Sequence, residues 1–203
     1  MKILVLGSGG HAKVAADIAL EMGHEVLGFL DDTTNGEDVL GFPILGRVNS
    51  WEEHGAEGLA LGIGSNGVRR RLMELNPDAP WLTLVHPFSS VSRFAKVGKG
   101  SMVAFGACVG PGAVVGQGAI INTQASVDHD CRVGDYAHIA VGATLAGTVT
   151  IGGEAMVGAG AVVIQNLTVG SGSIVGAGAA VVRDVPEGVT VMGVPARPAE
   201  AHS

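Results

Sequence analysis

An aliphatic residue stands at every sixth position between residues 91 and 181. Sixteen consecutive positions of this register hold Val, Ile or Leu, and no insertion interrupts them. About a quarter of the residues in an ordinary protein are aliphatic, so chance would almost never produce such a series. This hexapeptide repeat restricts the fold more than any other feature of the chain. Its aliphatic positions are Val91, Val97, Val103, Val109, Val115, Ile121, Val127, Val133, Ile139, Leu145, Ile151, Val157, Val163, Val169, Val175 and Val181.

A second register lies two residues before each aliphatic position and is nearly always small, as at Ala107, Ala125 and Cys131. Gly often follows the aliphatic residue, as at Gly98 and Gly110. A helix of 3.6 residues per turn cannot keep a six-residue repeat on one face, whereas short strands joined by tight turns can. The aliphatic and small side chains then point inward, and the glycines are expected where the turns need a positive φ.

Three such strands close one coil of 18 residues, and successive coils stack at the sheet spacing of about 4.8 Å. Residues 91–185 are therefore predicted to form about five coils of a parallel β-solenoid. The composition agrees, because 33 glycines and only 4% aromatic residues imply a core of small side chains. Cys131 falls in the inward small register and is predicted to be structural, whereas Cys108 is predicted to be exposed.

Charge and hydropathy exclude several classes of partner. The formal net charge is −7, and no Lys/Arg cluster is present that would release counterions from a nucleic acid. The basic run Arg69 to Arg71 is interpreted as a solvated helix face. No apolar stretch approaches the roughly 20 residues of a membrane-spanning helix, so membrane insertion is not expected. With only two cysteines and no signal-peptide core, a cytoplasmic location is expected.

The N-terminal part alternates between strand and helix patterns. Strands are predicted at residues 2–6, 25–30 and 59–63, with a short one near 81–85, and helices follow residues 7–11 and 64–67. This βαβ order predicts an α/β domain with an open, parallel, Rossmann-like sheet over residues 1–86. The all-β solenoid with its C-terminal cap is expected to occupy residues 87–203.

Gly7, Gly9 and Ala12 match a dinucleotide-binding fingerprint, with Ala at its third position. Glycines at a helix N-terminus let backbone N–H groups approach a phosphate. Asp31 and Asp32 follow about 20 residues later and have acceptors for sugar hydroxyls. Since the domain contains barely one of the two halves that a dinucleotide needs, a nucleotide or nucleotide sugar is favoured over NAD. A tight turn in a purely structural α/β domain stays open as the alternative.

Two histidines lie inside the repeat. His129 stands in a polar segment between Asp128 and Asp130, in a region otherwise made of Gly, Ala and Val, and this favours a catalytic base. Gly147 is 18 residues further on, so it is predicted to stack on His129 and to present its N–H to a developing oxyanion. His138 lies half a coil from His129. The two can therefore share a site only between neighbouring subunits; the alternative is that His138 is a packing residue.

The whole chain resembles the PglD/NeuD-like family of sugar O/N-acetyltransferases, whose members pair a small Rossmann-like domain with a left-handed, hexapeptide-repeat β-helix. The family is usually trimeric. Its members acetylate the 4-amino group of UDP-linked amino sugars, and relatives act on GDP-perosamine or on sialic acid hydroxyls. The resemblance is carried by residues 7–11 (Gly-Ser-Gly-Gly-His), 30–32, 62–66, 122–130, 134–152 and 193–197 (Gly-Val-Pro-Ala-Arg).

The resemblance implies a role for each matching residue. His129 would be the general base, and Asp130, where the family often has Glu, would raise its basicity. His138, from the adjacent subunit, would contact the acetyl carbonyl. Gly147, Ala159 and Ala177 would line the coenzyme A groove, and the family often has Gly at the position of Ala177. The nucleotide-sugar pocket would be formed by Gly9, Gly10, His11, Asp31, Asp32 and Gly64.

The predicted activity is acetyl-CoA-dependent N-acetylation of the 4-amino group of a UDP- or GDP-linked 4-amino-6-deoxy sugar, by direct transfer in a homotrimer. O-acetylation of sialic acid or another sugar is one alternative. A non-catalytic trimer that binds a nucleotide sugar is another. A carbonic anhydrase of the γ type needs three histidine ligands for zinc, and the repeat contains two, so no metal is expected.

Overall fold

The computed structural model describes residues 1–33 and 38–199. Its N-terminal part has a four-stranded parallel sheet in the order β3-β2-β1-β4, with helices on it. The elements are β1 (Lys2–Leu6), α1 (Gly10–Glu21), β2 (Glu25–Leu30), β3 (Ile44–Gly46), a 3₁₀ helix (Val48–His54), β4 (Gly58–Leu61) and α2 (Asn66–Leu75). The predicted α/β fold class is confirmed.

The sequence predictions differ from this sheet in three details. Strand β4 ends two residues earlier than predicted, because Gly62 begins the turn that leads to α2. The short strand β3 and the 3₁₀ helix were not predicted. The predicted strand near 81–85 is divided: Trp81 makes an isolated bridge to Leu59, whereas Leu84 and Val85 begin the solenoid.

The remainder of the chain is a left-handed β-helix of two-residue strands, which confirms the predicted solenoid. Every strand between residues 84 and 163 pairs in parallel with the strand 18 residues further on; Val127, for example, pairs with Val109 and Leu145. The strands are β5 (Leu84–Val85), β6 (Ser90–Val91), β7 (Lys96–Val97), β8 (Met102–Val103), β9 (Cys108–Val109), β10 (Val114–Val115), β11 (Ile120–Ile121), β12 (Ser126–Val127), β13 (Arg132–Val133), β14 (His138–Ile139), β15 (Thr144–Leu145), β16 (Thr150–Ile151), β17 (Met156–Val157), β18 (Val162–Val163), β19 (Thr168–Val169), β20 (Ile174–Val175) and β21 (Ala180–Val181).

Three faces and three corners describe the β-helix. The His138 face contains β5, β8, β11, β14, β17 and β20; the Ser126 face contains β6, β9, β12, β15, β18 and β21; the Arg132 face contains β7, β10, β13, β16 and β19. We name the corners by one residue each. The Ala159 corner joins the His138 and Ser126 faces, the His129 corner joins the Ser126 and Arg132 faces, and the Tyr136 corner joins the Arg132 and His138 faces.

The C-terminal segment continues the His138 face and then turns back. Strand β22 (Thr190–Met192) pairs in parallel with β20, and β23 (Arg197–Pro198) pairs with β22 in the antiparallel direction. The antiparallel strand lies beyond the last parallel coil and so covers part of its open edge. Residues 200–203 of the predicted cap lie outside the described residues. The domain division at residue 86 stays a prediction.

Glycine is common at two positions of the repeat, and a different physical reason favours it at each. The prediction that the glycine after each aliphatic residue has a positive φ was wrong. At Gly98 and Gly110 a Cβ would lie 2.6–2.8 Å from backbone atoms of the next coil, so these glycines allow the coils to approach. Positive φ occurs two residues further on, as at Gly100 and Gly112. Non-glycine residues adopt it at the same turn position in other coils: Gln124, Asp130, Tyr136, Thr148, Glu154 and Asn166.

The N-terminal part packs on the His138 face and on the Tyr136 corner. Met102 and Ile120, which point outward from this face, belong to one apolar cluster with the buried side of α1. Arg69 on α2 is completely buried against the Tyr136 corner, so the interpretation of Arg69 to Arg71 as a solvated helix face was wrong for its first residue. Arg70 and Arg71 are exposed, because α2 turns only one side towards the β-helix.

The two cysteines lie where the repeat predicts: Cys108 is exposed and Cys131 is buried. Across residues 1–33 and 38–199, no helix combines the length and apolar character needed to cross a bilayer.

Candidate active site

His129 lies exposed at the second position of a tight turn on the corner that carries its name. Its Nδ1 atom is 2.9 Å from Oδ2 of Asp130, and its backbone N–H donates to Oδ1 of Asp128 over 2.7 Å. A ring nitrogen that faces a carboxylate carries the proton, so the Nδ1–H donates to Asp130 and Nε2 is left as the acceptor. The ring thus presents a basic nitrogen to solvent.

The hydrogen bond to Asp130 raises the pKa of His129 above its ordinary value, and the charge of Asp128 adds to this effect. Asp130 has a φ of +57°, a left-handed conformation that Asp tolerates better than most residues. Gly112 occupies the same turn position one coil earlier, and a Cβ there would overlap Oδ1 of Asp130. Gly112 therefore makes room for the carboxylate that orients the imidazole, a role that sequence reasoning missed.

Gly147 stacks against His129 on the next coil, as the 18-residue spacing predicts. The N–H of Thr148 donates to the carbonyl of His129 over 2.9 Å, which joins the two turns. A Cβ on Gly147 would lie 2.5 Å from both Cε1 and Nε2 of the imidazole. The absence of a side chain on Gly147 is therefore what allows the His129 ring to lie against this coil.

A cavity of about 340 Å³ opens at the carboxyl ends of β1, β2 and β4. The glycine-rich turn before α1 forms one wall, and Gly9 is the N-cap of that helix. Neither Gly9 nor Gly10 would place a Cβ within 4 Å of another group, so both face open space. The first N–H groups of α1 therefore point towards a region that suits an anionic ligand. A second cavity, of about 480 Å³, adjoins it and shares Asp32.

Asp31 and Asp32 lie at the end of β2, on the same cavity. Asp31 accepts hydrogen bonds from the Ser8 hydroxyl over 2.6 Å and from the backbone and hydroxyl of Thr33. Although partial burial acts to raise the pKa of Asp31, these hydrogen bonds lower it overall, so the carboxylate is ionised. Asp32 accepts the N–H of Val48 over 3.1 Å through Oδ1, and its Oδ2 accepts no hydrogen bond from the described residues.

His11 lines this cavity, and the His138 ring packs against it. Their ring centroids are 5.3 Å apart and their planes are nearly perpendicular. A Cβ on Gly64 would lie 2.7 Å from Cε1 and Nδ1 of His11, so Gly64 gives this ring its place. The Nε2 atom of His11 is buried and has no hydrogen-bond partner among the described residues, which leaves a polar atom for a ligand to satisfy.

His138 is buried on its face of the β-helix, and its Nε2 lies 3.1 Å from Nδ2 of Asn122. The pKa of His138 is lowered to about 4, mainly by burial and to a smaller extent by the nearby charges of Arg69 and His11. The imidazole is therefore neutral at physiological pH and can donate one hydrogen bond. Asn122 is the first of residues 122–130, which carry part of the family resemblance, but it had no role assigned to it from the sequence.

One chain brings the predicted site residues together in three separate groups. Gly9, Gly10, His11, Asp31, Asp32 and Gly64 line one cavity, and His138 packs against His11 beside it. His129, Asp130 and Gly147 lie at the His129 corner. Ala159 and Ala177 are both exposed and stack at the Ala159 corner, where the N–H of Gly178 donates to the carbonyl of Ala159 over 2.8 Å.

Comparison with known proteins finds one family model and several solved acetyltransferases that are similar to this chain. A family model described as the PglD N-terminal domain matches residues 2–75. The acetyltransferase domain of PglB from Neisseria gonorrhoeae is 41% identical, with a TM-score of 0.91 over 98% of this chain and 99% of that one. PerB from Caulobacter crescentus, solved with CoA and GDP-perosamine, is 37% identical, with a TM-score of 0.93 over 98% and 97% of the two chains.

Two further similarities are more distant. WeeI from Acinetobacter baumannii is 29% identical, with a TM-score of 0.91 over 98% of this chain and 100% of that one. An uncharacterised protein of Acanthamoeba polyphaga mimivirus is 27% identical over 90 residues, which are 44% of this chain and only 18% of that curated protein.

A left-handed hexapeptide β-helix with an exposed histidine–carboxylate pair, joined to a small α/β domain, defines an acyltransferase. The chain belongs to the PglD-like sugar acetyltransferase family, whose fold it matches along nearly its whole length.

Proposed function

We propose that this protein transfers the acetyl group of acetyl-CoA to the 4-amino group of a nucleotide-linked 4-amino-6-deoxy sugar. The observation that carries the proposal is the His129–Asp130 pair, an exposed imidazole whose basicity is raised by a carboxylate 2.9 Å away. The pair stands above a glycine that leaves the ring accessible. This is the arrangement that a general base for an attacking amine requires.

The transfer needs one base and no covalent enzyme intermediate. Nε2 of His129 takes a proton from the sugar amine as its nitrogen forms a bond to the thioester carbonyl carbon. The C–S bond then breaks, and the proton passes from His129 to the departing CoA thiolate. During the step Asp130 stabilises the imidazolium through Nδ1–H, as a carboxylate does in other acyl transfers. The Gly147 N–H donates no hydrogen bond to the described residues and suits the developing oxyanion.

Acetyl-CoA is the proposed acetyl donor. The PglB domain was solved in complex with acetyl coenzyme A, and PerB with CoA. The Ala159 corner suits the pantetheine arm, because Ala159 and Ala177 are exposed, small and stacked along the β-helix axis. The complexes of these relatives and the geometry of the Ala159 corner therefore support CoA as a cosubstrate. No group of three metal-ligating side chains occurs within residues 1–33 and 38–199.

The proposed acceptor occupies the cavity of the α/β domain. Its diphosphate would lie at the N-terminus of α1 beside Gly9 and Gly10, where the helix dipole favours negative charge. Asp31 and Asp32 would accept hydrogen bonds from sugar hydroxyls. Nε2 of His11, which has no partner among the described residues, would bind a polar group of the ligand. PerB, with GDP-perosamine bound, supports this class of ligand, and we propose either UDP or GDP as the nucleotide.

We further propose a homotrimer with active sites between its subunits. The cavity and His138 lie on one side of the chain, whereas His129 lies at a corner that joins the two other faces. A sugar held in the cavity would therefore meet His138 of its own chain and His129 of the neighbour. A closed ring with identical, directional interfaces meets this requirement at every site. We also propose that the enzyme works in the cytoplasm, where acetyl-CoA and nucleotide sugars are available.

CoA-thiol release from acetyl-CoA tests the proposal, with a panel of UDP- and GDP-linked 4-amino-6-deoxy sugars and the variant His129→Ala. Turnover of one amino sugar is expected, with a loss of about 10²- to 10⁴-fold in the variant. Release only with sialic acid or another hydroxyl acceptor would replace N-acetylation by O-acetylation. Binding of a nucleotide sugar without any turnover would identify a non-catalytic trimer.

A further inference from the structure

Arg69 is the largest completely buried side chain of the described residues, and all five of its N–H donors are satisfied. Nε donates to the carbonyl of Gly118 over 2.7 Å. Nη1 donates to the carbonyls of Ile63 and Gly64 over 3.1 and 2.8 Å. Nη2 donates to Oδ1 of Asn66 over 2.9 Å and to the carbonyl of Tyr136 over 2.7 Å. A buried guanidinium is tolerated only when its donors are paired in this way.

These five acceptors belong to two different parts of the protein. Ile63, Gly64 and Asn66 lie in the turn that lines the nucleotide-sugar cavity and leads into α2. Gly118 and Tyr136 lie on two successive coils at the Tyr136 corner of the β-helix. Four of the acceptors are backbone carbonyls, which cannot rotate away as a carboxylate can. The planar guanidinium therefore joins the two parts at a fixed separation.

The guanidinium of Arg69 binds backbone close to both histidines of the His11–His138 pair. Gly64, whose carbonyl accepts from Nη1, is the residue against which the His11 ring rests. Tyr136, whose carbonyl accepts from Nη2, is two residues before His138. The charge of Arg69 also lowers the pKa of both imidazoles, after burial itself, which favours their neutral forms.

Resting on the function proposed above, we infer that Arg69 is a positioning residue that fixes the sugar-binding cavity relative to His138 and so sets the alignment of the bound amine with the acetyl group. Arg70 provides the contrast. Its side chain reaches across the same boundary to Glu154, but it is half exposed and bonds a side-chain carboxylate instead of the backbone. Such a pair contributes little to position, because both partners are mobile and solvated.

The experiment compares Arg69→Met and Arg69→Lys with Arg70→Met as the matched control. Arg69→Met is expected to lower kcat at saturating substrates by about tenfold or more, because small misplacements of reacting groups are costly. Its KM for acetyl-CoA should change less than about twofold, since the CoA groove lies on the β-helix alone. Arg70→Met should keep kcat within about twofold. Equal kcat values for folded Arg69→Met and Arg70→Met would overturn the inference.

Arg69→Lys keeps the charge but has three donors in place of five, and it decides the matter if Arg69→Met does not fold. Its kcat is expected to fall with a wild-type KM for acetyl-CoA; a wild-type kcat would overturn the inference.

A nitrogen-15 NMR titration of the imidazoles does not depend on turnover. The signal of His138, whose charged and titratable neighbours are Arg69 and His11, should change in both Arg69 variants and not in Arg70→Met. It should titrate at higher pH in Arg69→Met, which removes the charge. If the wild type shows no turnover but the His138 signal behaves in this way, the proposed function fails while the role of Arg69 in placing His138 stands. An unchanged signal in both Arg69 variants would overturn that role.

Discussion

The imidazole of His129 lies directly over Gly147, whose α-carbon leaves space for no further atom: a Cβ there would be 2.5 Å from Nε2. Gly147→Ala is therefore expected to push the ring away from the position in which Nε2 would meet the substrate amine in the proposed reaction. We expect kcat to fall by about 10²-fold, the cost of displacing a catalytic group by roughly 1 Å. Steady-state kinetics with both substrates saturating measure this.

Gly153→Ala is the matched control, because Gly153 has the same turn position one corner further along the chain. Its nearest neighbour to an added Cβ is the carbonyl oxygen of Asp135 at 3.4 Å, an ordinary contact. A similar loss of kcat in both variants would show that any alanine in these turns is harmful and that the contact with His129 is not the cause.

The acid side of the pH–rate profile should report His129, and its position should depend on Asp130. Because the hydrogen bond to Asp130 raises the pKa of His129, the wild-type rate should fall with decreasing pH while the pH is still above 6.5. Asp130→Asn removes the charge, and Asn tolerates the left-handed backbone at this position. The acid limb of kcat should then move to lower pH, and the plateau should fall because the neutral ring is a weaker base.

Asp135→Asn is the control for this profile. Asp135 is a turn aspartate at a different corner, the Tyr136 corner, and its Oδ1 accepts the N–H of Gln117 instead of contacting His129. An acid limb that stays at the same pH in Asp130→Asn would contradict the role of Asp130, whatever happens to the plateau.

The hexapeptide period was sufficient to predict the coils, and the 18-residue coil length was sufficient to pair Gly147 with His129. Both predictions depend only on the spacing of residues along the chain, which the repeat keeps constant. Arg69 could not be predicted in this way, because its carbonyl acceptors at Gly118 and Tyr136 are 49 and 67 residues away and any residue supplies a carbonyl. Its burial therefore left no mark on the sequence around it.

The roles of the glycines in the repeat were assigned to the wrong position for a related reason. Two positions of each turn are rich in Gly, and a period of six cannot show which one has a positive φ and which one touches the next coil. The distinction depends on backbone approach between coils, as at Gly134, which appears only in three dimensions.

The two glycine positions should respond differently to alanine. A Cβ on Gly134 would lie 2.5 Å from the backbone nitrogen of Gly153, so Gly134→Ala forces two coils apart and should cost about 3 kcal/mol. Gly160 has a φ of +67° and no atom within 4 Å of an added Cβ, so Gly160→Ala should cost only the left-handed conformation, about 1 kcal/mol. Chemical unfolding at one protein concentration compares them. A larger loss for Gly160→Ala would contradict this assignment.

Gly64 should control the binding of the sugar substrate through His11. A Cβ on Gly64 would lie 2.7 Å from two atoms of the His11 ring and would move it away from its place beside His138. Gly64→Ala is expected to raise KM for the nucleotide sugar about tenfold while KM for acetyl-CoA stays unchanged. The control is Gly67→Ala, whose added Cβ would meet only the Glu154 carboxylate at 3.7 Å. Equal rises in both KM values would instead indicate a general loss of structure.

A mixing experiment tests whether each active site is shared between two chains. His129→Ala removes the proposed base, and Asp31→Ala removes a carboxylate from the cavity, so each variant alone should be nearly inactive. If a site takes His129 from one chain and the cavity from its neighbour, an equal mixture refolded together should regain about a quarter of the wild-type activity, because one site in four combines two intact halves. Size-exclusion chromatography of the mixture checks that a trimer has formed. Recovery no greater than the sum of the two separate variants would place both halves of the site in one chain and would contradict the arrangement that the separation of His129 from His138 suggests.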